Sequence, residues 1–311
     1  MRRIVVGLLL SICAFVVPLH AQYDASLSQY FMAKGYYNPA YAGSSSELNL
    51  TALSRLQWLG IEGAPQSFYV AADMPFSFGK TTVGGGLVFF KESIGLFDNT
   101  HVSLQGSYKQ KLLGGVLSGG IQIGMISQSF DGTKVETPDS DPDPSLPLTQ
   151  TSGSGFDISA GFYYTHKHFF LGIGASHLNQ PVINMGENMY TYIAGAYNFM
   201  GGYNIKLKNS LFELQPSFLV LTDLQSWYSN ITARVEYNKM FNGGVFFSPG
   251  QSAGVLLGAK FGKIQVGYVF DVPTTSLVRA TTGSHELAVR YKFRLKKRNT
   301  GKNRHKSVRI L

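Results

Sequence analysis

The sequence predicts an all-β chain, a transmembrane antiparallel β-barrel of about fourteen strands in an outer membrane. Three observations carry this prediction. The chain opens on an export signal. It is low in charge, at 14% of its 311 residues against a usual ~25%, yet holds 13% aromatic residues and 35 glycines. Beyond the signal, no apolar run approaches the roughly 20 residues that a membrane helix needs, while apolar and polar residues alternate with period two over segment after segment. A lipid-facing strand face opposite a polar lumen face produces that pattern. A secreted β-sandwich is the alternative, and would carry more charge on its solvent faces and shorter strands.

Residues 1–21 hold Arg2 and Arg3, an apolar run over 4–17, and Pro18-Leu19-His20-Ala21. A basic start, a short apolar stretch and a small residue at the cut make a signal peptide, with cleavage expected before Gln22. A lipid anchor on Cys13 fails on spacing, because Ile12 stands where a small residue is required and no polar spacer follows. Cys13 is the only cysteine. The mature chain therefore has none, which excludes disulfides, thiolate catalysis and cysteine-held metals.

Fourteen strands are expected, over residues 48–56, 66–76, 81–91, 100–111, 116–130, 155–166, 169–178, 189–200, 211–222, 227–239, 243–247 with its flanks, 253–261, 263–271 and 285–295. The tenth alternates Ile231, Ala233, Val235 and Tyr237 with Thr232, Arg234, Glu236 and Asn238. The last alternates Leu287, Val289, Tyr291 and Phe293 with Glu286, Arg290, Lys292 and Arg294. Only a polar lumen tolerates that second face. Pro216 predicts a bulge in the ninth strand, and the eighth is apolar on both faces. Every second link is short, around Gly79-Lys80, 111–115, 166–168, 204–209, 239–242 and Gly262. The intervening links are mostly longer, notably 131–153, 179–188 and 272–284. Short periplasmic turns opposite long external loops fit a barrel with both termini in the periplasm. Lysine recurs in the short turns and makes that rim basic.

Between signal and barrel, residues 22–46 form a polar lead-in, expected in the periplasm or inserted in the lumen. It contains a proline-stiffened turn at Asn38-Pro39-Ala40 and a Gly-Ser hinge over 43–46. The barrel is expected over 47–295 and a basic periplasmic tail over 296–311. SQYF at 28–31, NPAYAG at 38–43, LTALSRLQWLGIEGAP at 50–65 and SFYVAADMPF at 67–76 follow in one order and spacing. Together they resemble the opening of the PorP/SprF family, outer-membrane proteins of the type IX secretion system of Bacteroidetes. The likeness is strong over about fifty residues, and elsewhere consists of length and strand rhythm. It implies a non-enzymatic component that anchors or assists export of cargo proteins to the cell surface. Its partners would be periplasmic ring and peptidoglycan-linked machinery proteins, or one secreted cargo protein, with outer-membrane lipid around the barrel. The motif residues carried over are Asn38, Pro39, Ala40, Gly43, Arg55, Gln57, Trp58, Gly60 and Pro65. Asn38 to Gly43 is expected to dock the lead-in at the periplasmic mouth, and Arg55 to line the lumen. A general porin or small-solute channel is the alternative function.

The tail holds Lys296, Lys297, Arg298, Lys302, Arg304, Lys306 and Arg309. Removing these seven charges with Arg2 and Arg3 takes the net charge from +9 to 0. The basic character thus belongs to the tail, which suits an acidic periplasmic partner and favours the PorP kind. Nucleic acid is not an expected partner, despite the pI. No cofactor is expected. Gly79-Lys80-Thr81 imitates a phosphate loop, but Met74 stands where its first glycine belongs. Asp139, Asp141 and Asp143 imitate a calcium loop, with Pro144 and Gln150 in place of the required Gly and Glu, leaving weak calcium binding as the most it predicts. His166 and His168 share a strand face but lack a third ligand. His177 and Asn179, near the outer end of the seventh strand, are candidates for hydrolase chemistry, as is any of many serines, and nothing in the sequence joins them.

Overall fold

A computed structural model describes residues 24–78, 81–135, 147–186, 189–209 and 211–293. The signal peptide, Cys13, Gly79-Lys80, the Asp139–Asp143 segment and the basic tail lie outside the described residues. The strands are β1 (Leu48–Leu56), β2 (Gln66–Phe78), β3 (Thr81–Ile94), β4 (Phe97–Leu112), β5 (Gly115–Asp131), β6 (Gln150–Thr165), β7 (Phe169–Ser176), β8 (Val182–Asn184) and β9 (Tyr190–Tyr192). Then follow β10 (Ala196–Tyr203), β11 (Ile205–Lys206), β12 (Phe212–Thr222), β13 (Trp227–Tyr237), β14 (Phe241–Ser248), β15 (Ser252–Phe261), β16 (Ile264–Pro273) and β17 (Ser284–Phe293).

Fourteen of these pair antiparallel, each with its neighbour in sequence, and β1 pairs with β17 from Leu48↔Phe293 to Leu56↔His285. The sheet closes into a barrel and leaves no edge. The short pair β8–β9 stands apart as a hairpin in the link after β7, and β11 extends the edge of β12. Closure follows from the alternation. On β13, Ile231 is 59% exposed toward lipid while Asn230 and Thr232 are buried within. On β17, Leu287 is 50% exposed while Glu286 and Ala288 are fully buried.

Two expectations are corrected. The eighth strand was expected over 189–200, but Tyr190–Tyr192 belongs to the hairpin and the barrel strand begins at Ala196. An apolar run records burial, and here it spans two separate buried surfaces, since Ile193 packs with Ile126, Phe130, Ile183 and Met185 beneath the hairpin. Pro216 makes no bulge. Its pairing to Ala233 on β13 keeps register, and the missing N–H falls in the gap where β10 leaves off at Gly202↔Ser217 and β11 resumes at Ile205↔Leu214.

The links alternate between the two ends of the barrel. One end carries 79–80, 113–114, 166–168, 204–211, 238–240 and 262–263. The other carries 57–65, 132–149, 177–195 and 274–283, together with the tight 95–96, 223–226 and 249–251. These are called the short-turn and long-link ends below. A charge placed on the lipid face tests the assignment of faces. Ile231→Arg is expected to cost about 2–4 kcal/mol near the bilayer centre, read by urea unfolding in liposomes.

Candidate functional site

Eight strands suffice for side chains to fill a barrel, whereas fourteen leave a lumen. Here residues 24–46 occupy it. Leu27, Tyr30, Ala33, Asn38, Ala40 and Ala42 are fully buried, as are Ser28 and Gln29 to within 1%. The segment starts at Asp24 in the long-link half, descends past Met32, makes one helical turn, α1 (Lys34–Tyr37), and leaves along Gly43 at the short-turn end.

In the long-link half, the Glu286 carboxylate accepts the backbone N–H of Ser28 at 2.8 Å and of Gln29 at 2.7 Å. Arg55 Nη1 lies 3.2 Å from Glu286 Oε2 and 2.9 Å from Asp271 Oδ2, and donates to Ser28 Oγ at 2.7 Å. Arg55 and Glu286 face each other directly across β1 and β17. One guanidinium thus serves two carboxylates of the wall and one hydroxyl of the inserted segment. Charges this deep persist only when paired and hydrogen-bonded.

In the short-turn half the segment meets the wall through glycines. Asn38 Nδ2 donates to the carbonyls of Phe162 and Ile173, each at 3.0 Å, and its Oδ1 accepts Ala40 N–H at 3.0 Å to cap the turn Pro39–Tyr41. A Cβ on Gly161 would stand 2.4 Å from Asn38 Oδ1, one on Gly120 2.4 Å from Ala40 N, and one on Gly84 1.9 Å from Ala42 O. Gly174 likewise leaves room for the Tyr37 carbonyl, and Gly267 for the Gln29 amide. The wall is cut to the backbone of the segment. Gly43, at φ +62, then turns the chain out and donates to Asp73 Oδ2 at 2.9 Å.

A third contact ties the start of the segment to the link after β7. His177 Nδ1 lies 2.8 Å from Asp157 Oδ1 and Nε2 lies 3.2 Å from Asp24 Oδ1, with His101 3.4 Å from the second Asp157 oxygen. Burial opposes the imidazolium, but Asp24 and Asp157 together outweigh it and push His177 up to about 10. Two cavities of about 20 Å³ flank this cluster, each with room for about one water.

The motif residues thus divide. Asn38, Pro39, Ala40 and Gly43 meet the wall in the short-turn half, and Arg55 anchors the segment in the other half. Gln57, Trp58, Gly60 and Pro65 lie on the link 57–65. There Gln57 N–H donates to Pro65 O, and Leu59 exchanges backbone bonds with Gly283 and Thr282 of the link 274–283. Trp58 N–H donates to Ser284 Oγ. The His166 and His168 rings lie 5.9 Å apart and tilted at 49° in a short turn, His166 beside Phe169 and His168 stacked on Tyr203. Sequence reading did not single out the wall glycines, Asp24, Asp157 or Asp271. Their signal, a small or acidic residue on the polar face of a strand, acquires meaning only once the strands face one lumen.

A model of the type IX secretion system membrane protein family PorP/SprF matches residues 19–291. The chain belongs to the PorP/SprF family. It is accordingly an outer-membrane component of the type IX secretion system. No curated protein sequence matches it. Among solved structures it is similar to Omp33 of Acinetobacter baumannii, at 7% identity and a TM-score of 0.47, over 80% of this chain and 98% of that one. It is also similar to the toluene transporter TbuX of Ralstonia pickettii, at 11% identity and a TM-score of 0.48, over 88% and 96%.

Three outcomes are expected of this PorP/SprF barrel. Gly161→Val collides with Asn38 and is expected to expose residues 24–46 to protease while the strands stay resistant. Asn38→Ala, which loses hydrogen bonds without a collision, is expected to cost about 1–3 kcal/mol by urea unfolding. The His177 pKa is raised from 6.5 to about 10 on folding. Its contribution to stability is therefore complete below 6.5 and lost as pH rises through 10. Unfolding midpoints followed from pH 6 to 10.5 are expected to fall for the natural chain, and His177→Gln is expected to remove part of that fall.

Proposed function

We propose that the protein works as a closed, non-enzymatic scaffold of the type IX machinery, with both termini and the short-turn end in the periplasm. From there it anchors or assists export of cargo to the cell surface through contacts with periplasmic machinery proteins, in the manner of the PorP kind. The observation that carries this reading is the filled lumen. A general porin needs a solvated path, and here the axis is taken up by Asp24 to Gly43, whose backbone is bonded to the wall in both halves. The basic tail starts where β17 ends, at the short-turn end.

The test compares detergent pull-downs from outer membranes using the full chain and a chain stopped before Lys296. Secretion-ring proteins are expected to come down with the full chain and to be lost on truncation. Recovery of the full chain alone removes the machinery role. In planar bilayers the full chain is expected to be silent, and a steady open conductance favours the porin instead.

A further inference from the structure

The lumen separates its charges. The carboxylates Asp24, Glu92, Asp157, Asp271 and Glu286 stand in the long-link half, with Arg55 and His177 between them. The short-turn half holds a surplus of cations, with Asp73, Glu213 and Glu236 among them. Lys260 and Arg290 face inward on either side of Gln265 in one cross-strand row, through the pairs Lys260↔Gln265 and Gln265↔Arg290. Lys292 faces inward two residues further along β17, and Arg234 enters from β13. Lys34 of the inserted segment completes the group.

Their direct contacts are mostly rings, hydroxyls and carbonyls. Lys34 Nζ sits 3.4 Å over the Phe170 ring and donates to the Tyr163 hydroxyl at 3.1 Å. Arg234 lies 3.6 Å over the Phe31 ring, with Nε buried and without a hydrogen-bond partner among the described residues. Arg290 donates to Thr51 and to the Met32 carbonyl. Among the described residues, no carboxylate lies within ion-pair distance of any of the five. Carboxylates do lie nearby: Glu47 and Asp73 act through space on Lys292 and Glu236 on Arg234, while Asp73 also accepts from Gly43 and Asn49 and Glu236 from Gln215. Cations brought together in a partly desolvated mouth destabilise one another until an anion joins them.

We infer that the short-turn mouth, formed by Lys34, Arg234, Lys260, Arg290 and Lys292, receives an acidic peptide segment of a partner protein. The inference rests on the periplasmic-partner reading above and adds the chemistry by which the partner is held. A peptide fits because the cations line the inside of the barrel, away from lipid headgroups. The chain's own tail does not fit, since residues 296–311 carry seven cations and no acid.

The test uses the full chain in detergent with a twelve-residue polyglutamate probe carrying a benzophenone and a fluorophore, and polyglutamine as control. Polyglutamate is expected to bind in a salt-sensitive manner and to form adducts on β15, β17 and residues 34–44. The K260E/K292E variant, at the water-exposed rim, is expected to weaken binding about tenfold. K260Q/K292Q is expected to weaken it about threefold, which keeps the test valid should the charge swap fail to fold. Equal binding of polyglutamine, adducts confined to residues 296–311, or unchanged affinity in both variants overturns the inference. Displacement of the probe by millimolar inorganic phosphate, or by phosphatidylglycerol vesicles, overturns it in favour of a phosphate or lipid site. If both variants bind the probe normally while tail truncation still abolishes capture of ring proteins, this inference falls and the proposed function stands.

Discussion

The Glu286 carboxylate is where the wall of the barrel and the segment inside it become one structure. Fully buried, it holds two successive backbone N–H groups of the segment and one face of the Arg55 guanidinium. Arg55 and Glu286 sit on the first and last strands, so their pairing also lies across the seam that closes the barrel. Removing Arg55 leaves Glu286 and Asp271 in the interior without their cation, a loss of about 3–5 kcal/mol in such settings. Closure of the sheet and filling of the lumen therefore depend on the same atoms. The first strand cannot seal against the last without bringing the anchor for Ser28 and Gln29 into place.

The rest of the interior follows from having one segment to accommodate. Where the segment arrives as backbone, the wall presents glycine, at Gly84, Gly120 and Gly161. Where it arrives as polar side chains, the wall presents carbonyls, as at Phe162 and Ile173 for Asn38. Where it arrives as tyrosines, the wall answers with hydroxyls and amides, as Ser217 does for Tyr30. Protein interiors tolerate few voids, and an interior built from two separate pieces of chain must match them residue by residue. That matching turns a barrel wide enough to conduct into a solid body.

Much of this was legible in the sequence. Period-two alternation, link parity and low charge were sufficient for the number of barrel strands and for the place of all but the eighth, and Arg55 was readable as a lumen residue from its place among Asn49 and Thr51. What alternation cannot report is which buried surface an apolar run serves, hence the misplaced eighth strand. Nor can local rules tell how a proline is spared. Pro216 needed no bulge because its edge falls in a gap between two short partners. The site was legible only in part for a related reason. Gly161 and Asn38 are 123 positions apart, as are many of the contacts that matter, and a glycine in a strand looks the same whether it serves a turn, a bulge or an inserted chain.

Hydrogen exchange at the amides of Ser28 and Gln29, in the full chain in nanodiscs, tests the central claim most directly. With both amides held by a buried carboxylate, exchange is expected to be as slow as in β1 and β17. Exchange within seconds at these two amides, while the strands stay protected, would contradict the account and leave the lumen open for another use.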